Sequence, residues 1–255
     1  MLRDMESAQN RAAGSAGRRM LLLAIDTCGS TGSVALGRLN KSQGGSLAMA
    51  SFEVLGEIEL EGRSYSSTLV TAVGDLLMAA GVGIKDLSAI VAVHGPGSFT
   101  GVRVGLSAVK GLAEPLQIPV AVVSRLEVLA AKIGLEVAAI DAHRGEVFLR
   151  MGGRPTRTNT AGSTEMLAGA AELKAIEPAP ARVAVCDDAA AALMASAWPA
   201  TELIRVAAPI AGDALRLAAP RVLEGAFVDL ALLDGNYLRR SDAEIFGEAT
   251  EAKHA

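Results

Sequence analysis

Residues 94–113 constrain the fold of this chain more than any other segment, because a glycine-proline turn leads directly into a helix with a defined start. The preceding residues, Ala89 to Val93, are few, apolar and partly β-branched, which is typical of a buried strand. Ser98 is the predicted N-cap, since a serine hydroxyl can accept a hydrogen bond from a free N–H of the first turn. The backbone therefore passes from strand to glycine-rich turn to helix within a few residues.

This connection has two interpretations. Free N–H groups and the positive end of the helix dipole favour an anion, and Gly95 and Gly97 would let a phosphate approach the backbone. Alternatively the glycines only make the turn, since neither the Walker A nor the dinucleotide motif is matched. Asp26 and Thr27 end an earlier strand, where a carboxylate could hold hydrated Mg²⁺, although such an Asp more often caps the turn. The candidate phosphate or nucleotide-binding residues are Asp26, Thr27, Gly95, Gly97, Ser98 and Thr100.

Composition narrows the function classes. The 255 residues are 51% hydrophobic with a net charge of -4, which is enough for a sizeable core and gives no global attraction to nucleic acid. The two cysteines and three histidines are scattered, so no metal motif is matched and no catalytic metal is expected. The apolar run 20–25 is too short for a signal peptide or a membrane span, so we expect a cytoplasmic protein without membrane contact.

A repeated pattern predicts two related halves. A strand ending in Ala24-Ile25-Asp26, a turn and a second strand to Gly37 form one predicted hairpin, and the same pattern recurs over 137–150 around Ala139-Ile140-Asp141. Strands are further predicted at 51–58, 89–93, 120–123, 182–185 and 202–206, and helices at 66–80, 98–114, 164–175, 188–197 and 212–225. The alternation predicts a mixed α/β fold rather than a barrel or sandwich. The expected organisation is an extension at 1–19, halves at 20–122 and 123–246, and a tail at 247–255.

The helix 98–114 carries an apolar arc about twice as wide as one sheet face requires, which predicts a second buried surface. Gly101, Gly105 and Ala108 form a smooth stripe that would let another backbone come close. We predict a subunit interface here, to which the helix 66–80 adds its face; the alternative is burial within the chain's own domain. The predicted interface residues are Leu69, Val73, Leu76, Gly101, Val102, Arg103, Gly105, Leu106, Ala108 and Val109.

Several segments together resemble the TsaB (YeaZ) family of the ASKHA superfamily, which is actin-like and RNase H-like. They are Leu23 to Thr27, Gly95 to Gly105, Ser124 to Leu129, Ala139 to Val147, and Tyr237 to Glu244, in the family's order. The resemblance implies two related mixed-sheet halves with flanking helices. The family commonly has a His-Ser pair opening the first long helix, where this chain has Tyr65-Ser66.

The resemblance also implies a function. The chain would be a non-catalytic scaffold or activator subunit for making N6-threonylcarbamoyladenosine at position 37 of tRNA, with the paralogous TsaD subunit as the catalyst. TsaD-like proteins carry an H-x-x-x-H metal motif, which this sequence lacks. The implied partners are TsaD, the ATPase TsaE, a second copy when the chain is alone, and tRNA through the complex. No cofactor is expected on the chain alone, with ATP or ADP and Mg²⁺ belonging to the complex.

Two other functions stay open at this stage. Asp26-Thr27, the Gly-Pro-Gly turn and the repeated hairpin would also suit an ASKHA-type small-molecule kinase or nucleotide hydrolase. A glycoprotease-like peptidase, an older label for such chains, has no supporting constellation in the sequence, and no serine-hydrolase elbow is present.

Overall fold

A computed structural model describes residues 19–40, 51–62, 64–152 and 163–239 of the chain. The predicted extension before Arg19, the tail 247–255 and the motif residues 240–244 lie outside the described residues. Two five-stranded mixed sheets with flanking helices make up the described part, which confirms the α/β prediction.

The first sheet has the order β3-β2-β1-β4-β5. Strands β1, β2 and β3 form an antiparallel meander, and β4 and β5 add to β1 in parallel. Their bounds are β1 Arg19–Asp26, β2 Thr31–Asn40, β3 Ser51–Glu61, β4 Leu87–Val93 and β5 Val120–Val123. The parallel strands are almost continuously apolar and buried, as expected of strands covered on both faces.

The second sheet repeats this topology. Its order, β8-β7-β6-β9-β10, is that of the first sheet with every strand advanced by five, and the parallel and antiparallel pairings correspond. The bounds are β6 Ala138–Asp141, β7 Glu146–Met151, β8 Thr164–Gly169, β9 Arg182–Val185 and β10 Glu202–Arg205. The two predicted hairpins and the relationship between the halves are confirmed, while the predicted domain boundary at 122/123 stays a prediction.

The described α-helices occupy corresponding places in the two halves. They are α1 Tyr65–Ala79, α2 Phe99–Ala113, α3 Arg125–Ala131, α4 Ala170–Ala175, α5 Asp188–Ala197 and α6 Ala211–Glu224. The single helix predicted over 164–175 is wrong, because residues 164–169 pair antiparallel with β7 and only 170–175 are helical. Glu165, Met166 and Leu167 have high helix propensity, but the backbone hydrogen bonds offered by the edge of β7 place them in a strand. Helix α3 was not predicted.

The last helix of each half covers the other half's sheet. Helix α6 packs on β1 and β2 of the first sheet, and α3 packs on β6 and β7 of the second. Where the two helices meet, Arg221 forms a buried two-nitrogen ion pair with Glu127. The halves are therefore joined by exchanged helices. None of the helices in the described ranges combines the length and hydrophobicity needed to cross a bilayer.

Candidate functional site

The turn after β1 packs directly against the start of α2. The Ser98 amide donates to the Cys28 carbonyl over 2.8 Å, and the Gly101 amide donates to Ser98 Oγ over 3.2 Å. Ser98 is thus the N-cap, as predicted. The fold brings four of the candidate residues together here, namely Asp26, Thr27, Gly97 and Ser98.

The glycines of the motif make this contact possible. A Cβ on Gly97 would lie 2.1 Å from the Cys28 carbonyl oxygen, and one on Gly101 would lie 2.0 Å from the Thr27 carbonyl oxygen. A Cβ on Gly105 would lie 2.3 Å from Thr27 Oγ1. No side chain fits at these distances, so the glycine stripe of α2 faces the chain's own β1 strand end.

The predicted subunit interface therefore needs correction. Eight of its ten residues are buried inside the chain's own fold: Leu69, Val73, Leu76, Gly101, Val102, Gly105, Leu106 and Val109. The glycines admit the turn after β1, and the apolar side chains pack on the first sheet and its core. Arg103 is exposed and Ala108 is half-buried, so they remain available to a partner.

The candidate phosphate ligands already have partners within the protein. Asp26 is 1% exposed; its Oδ1 accepts from the Cys28 amide over 2.9 Å, and its Oδ2 lies 3.5 Å from Arg125 Nε. Thr27 is also buried and donates to the Gly101 carbonyl over 2.7 Å. Each group therefore has a structural role, and nucleotide binding at this turn stays a prediction.

The other two candidates, Gly95 and Thr100, are placed differently. Gly95 has a φ of 108°, which a residue with a side chain rarely adopts, and a Cβ there would lie 3.2 Å from the Asn236 carbonyl oxygen. Its own carbonyl accepts from the Arg125 amide over 2.7 Å. Thr100 is exposed in the first turn of α2. Gly95 thus serves the turn, and of these two only Thr100 faces solvent.

Arg125 is a site residue that the sequence did not reveal. It begins α3, its side chain is buried beside Asp26, and its Nη2 occupies the space next to Gly29. Burial acts to lower the pKa of the Arg125 guanidinium, but the neighbouring Asp26 carboxylate raises that pKa above its usual value. The available signal was the repeat: a helix predicted after the fifth strand of the second half implies one after the fifth strand of the first.

A second polar cluster joins the halves beside this turn. Glu165 on β8 accepts from Ser124 Oγ over 2.8 Å, from Asn236 Nδ2 over 2.6 Å and from Arg150 Nη1 over 2.8 Å. His94 lies nearby, and burial lowers the pKa of its imidazole. These contacts fix the residues after β4, β5 and α6 relative to the second sheet.

The turn after β6, which corresponds to the one after β1, is also internally bonded. Asp141 accepts from the His143 amide over 2.9 Å and lies 2.8 Å from His143 Nδ1. Residues His143, Arg144 and Gly145 all have positive φ, and Glu146 pairs with Arg239. Asp141 thus caps this turn, as an Asp at a strand end commonly does.

Tyr65 stands where the family commonly has histidine. Its ring lies against Gly32, and its hydroxyl donates to the Gly29 carbonyl over 3.0 Å. Burial raises the pKa of this hydroxyl to about 12. The side chain thus fixes the turn after β1 to the start of α1.

An apolar groove lies between α1 and α2, which we call the α1–α2 groove. It has a volume of about 320 Å³ and is lined by Tyr65, Ser66, Leu69, Val70, Arg103, Val104, Ser107 and Ala108. Val70 is 64% exposed and lies beside the half-buried apolar residues Val104 and Ala108, so the groove presents an apolar patch to solvent. This groove is the part of the predicted interface region that the fold leaves open.

Comparisons with known proteins agree with this architecture. A family model described as TsaD, tRNA N6-adenosine threonylcarbamoyltransferase, matches residues 57–179. Two curated proteins described as tRNA threonylcarbamoyladenosine biosynthesis protein TsaB are similar to the chain. The Bacillus subtilis protein is 39% identical over 134 residues, which is 51% of this chain and 53% of the relative. The Escherichia coli protein is 36% identical over 138 residues, with the same coverage of 51% and 53%.

Solved structures are similar over a larger part of the chain. A structure described as YeaZ from Pseudomonas aeruginosa covers 86% of this chain and 100% of its own, with 29% identity and a TM-score of 0.62. A second Pseudomonas aeruginosa structure, described as similar to peptidase YeaZ, has the same coverage and identity and a TM-score of 0.65.

The curated sequence matches are partial, since the chain spans about half the length of the curated relatives it matches. The structural likeness over 86% of the chain and the repeated five-stranded sheets identify the two-half ASKHA-like fold. With the motif that places Gly97 and Gly101 against the turn after β1, these findings show that the chain is similar to TsaB (YeaZ) proteins in sequence over about half of its length and in fold over 86% of it.

Proposed function

We propose that this chain takes part in making N6-threonylcarbamoyladenosine in tRNA, as a non-catalytic subunit that binds and activates a TsaD-type catalytic paralogue. The names of the TsaB relatives support the pathway. The observation that carries the subunit role is the exposed α1–α2 groove, in which Val70 is 64% exposed.

The chemistry of the groove favours a protein partner. Its walls are mostly apolar, and exposed apolar patches of this kind on a soluble domain mark sites of association. Arg103 and Ser107 form a polar edge beside it, as in interfaces with an apolar centre and a polar rim. The occupant we propose is a TsaD-type paralogue, and a second copy of this chain would use the same face when that paralogue is absent.

We assign catalysis to the paralogue, whose family carries an H-x-x-x-H metal motif. The sequence has three separated histidines and no H-x-x-x-H motif. Across the described ranges, no group of three or more His, Cys, Asp or Glu side chains is placed to hold a metal ion. Asp26 and Thr27 are engaged inside the protein, so we assign ATP or ADP with Mg²⁺, and the TsaE-type ATPase, to the assembled complex.

The test is co-elution with the paralogue on size exclusion at micromolar concentration, with nucleotide present. We expect Val70→Glu to weaken the complex at least about tenfold, because a buried charge replaces an apolar contact worth about 1.5–3 kcal/mol. Met78→Glu is the matched control, since Met78 is 74% exposed on α1 and does not line the groove. Failure of the wild-type chain to form a complex would overturn the proposal.

A reaction assay tests the division of roles. Transfer of the threonylcarbamoyl group to tRNA should need both subunits, and the chain alone should give none. Transfer by the chain alone, or ATP turnover by it above a blank, would instead favour an enzyme of the ASKHA kinase or hydrolase type.

A further inference from the structure

A second concave surface lies on the other side of α2, facing the residues that follow α6. It has a volume of about 450 Å³, within the range of small-ligand sites. Its lining includes two aromatic residues, Phe99 and Tyr237, and three basic residues, Arg103, Lys110 and Arg239. We call it the stacking pocket.

The aromatic and guanidinium groups of the pocket are already in contact with one another. Arg103 Cζ lies 3.8 Å from the centroid of the Phe99 ring. The centroid of Phe99 is 4.9 Å from that of Tyr237, at an interplanar angle of 49°. Tyr237 is also held against Gly235, where a Cβ would lie 2.6 Å from the tyrosine Cζ. Because these contacts restrain the rings, stacking a further planar group on them costs little conformational entropy.

The charge of the pocket is positive, in contrast to the chain as a whole, whose net charge is -4. Within the described residues, neither Arg103 nor Lys110 has an ion-pair partner, and Asp234 is the acidic residue of the lining. Arg239 binds Glu146, so Arg103 and Lys110 are the cations available to an anion. Aromatic ring faces beside cations without an ion-pair partner are the combination that binds a base and its phosphate.

We propose that the stacking pocket binds one unpaired nucleotide of a single-stranded RNA segment, with the base on the Arg103–Phe99–Tyr237 stack and a phosphate at Lys110. This rests on the proposed function, in which tRNA is the substrate, because its loops offer unstacked bases. Arg103 and Ser107 line both this pocket and the α1–α2 groove. RNA in the pocket would therefore lie beside a catalytic partner docked in the groove.

The experiment measures binding of a labelled tRNA transcript by fluorescence anisotropy, using the full chain alone and with its paralogue. Lys110→Glu should weaken binding about tenfold and lower the salt slope by about one. Tyr237→Leu should weaken binding about 5- to 100-fold, the range for loss of one stacked base, with circular dichroism checking the fold. Lys174→Glu is the matched control, because Lys174 is an exposed lysine on α4 in the other half, and it should have no effect.

Five results would overturn the stacking pocket. They are no RNA binding by the wild-type chain or its complex, equal weakening by Lys174→Glu, loss of partner binding rather than RNA binding in Lys110→Glu, displacement of the RNA by equimolar AMP, and normal RNA binding by Lys110→Glu. Co-elution with the paralogue is measured on the same variants. It distinguishes failure of the pocket assignment from failure of the proposed function. If Lys110→Glu still co-elutes and still binds RNA normally, only the pocket assignment is lost.

Discussion

Replacing Gly101 by alanine tests whether the glycine stripe of α2 belongs to the core or to a partner. The added Cβ would lie 2.0 Å from the Thr27 carbonyl oxygen, which is backbone at the end of β1 and cannot rotate away. Either α2 or the turn after β1 must shift, although that turn is tied to α2 through the Ser98 and Thr27 hydrogen bonds. We therefore expect a loss of stability rather than of binding specificity.

The size of the effect follows from overpacking. Forcing one extra carbon into a tightly packed contact costs about 1–3 kcal/mol, and the helix propensity gained by Gly→Ala returns about 1 kcal/mol at most. Gly111→Ala is the control on the same helix, since Gly111 is exposed and a Cβ there would meet nothing within 4 Å. With the full propensity gain the net cost is about 0–2 kcal/mol, so at about 2–4 °C per kcal/mol for a chain of this size Gly101→Ala lowers Tm by up to about 8 °C, whereas Gly111→Ala raises it slightly.

The assay is thermal and urea unfolding of each variant alone, followed by co-elution with the paralogue. The reasoning is refuted if Gly101→Ala unfolds like the wild type but no longer binds the partner, because the glycine stripe would then face another polypeptide. Gly105→Arg, which the interface prediction expects to leave the monomer folded, should instead unfold it, since its Cβ alone would lie 2.3 Å from Thr27 Oγ1.

Three further predictions concern Asp26, Tyr65 and Cys186. Asp26→Asn should lower the free energy of unfolding by on the order of 3 kcal/mol, because it leaves the buried Arg125 charge unpaired; unchanged urea unfolding would contradict this. Tyr65→Phe should cost about 1 kcal/mol by removing the hydrogen bond to Gly29, and a Tm equal to wild type would argue against it. Burial raises the pKa of Cys186 to about 11, so at pH 8 its thiolate fraction, and its iodoacetamide alkylation rate, should be about two orders of magnitude below those of free cysteine and should rise with pH; alkylation at the free-cysteine rate would show otherwise.

Local patterns predicted most elements because they depend on neighbouring residues alone. The alternation around the Ala-Ile-Asp repeats, the apolar run 89–93 and the Ser98 cap are each set within a few residues, and the structure confirms them. The helix predicted over 164–175 failed because the edge of β7 turned its first half into a strand, which is a contact between distant segments. Helix α3 was missed because its seven residues are too few to show a helical period.

The candidate site was likewise predicted only in part, because local sequence does not show which distant residues come into contact. The sequence identified Gly101 and Gly105 as places of close approach, but a missing side chain does not say which surface comes near. Only the folded chain shows that this surface is the end of β1. Arg125 and Arg103 also gain their importance from what they contact, a buried carboxylate in one case and the Phe99 ring in the other.

The sequence by itself therefore determined the two related halves and the strand-turn-helix motif, and it carries the resemblance to the TsaB (YeaZ) family, since each depends on residues close together along the chain. The tertiary structure alone decided that α3 and α6 exchange sheets, that the glycine stripe is internal, and that Val70 is left exposed. The physical reason is that burial depends on which distant surfaces meet, and local propensity carries no information on that choice.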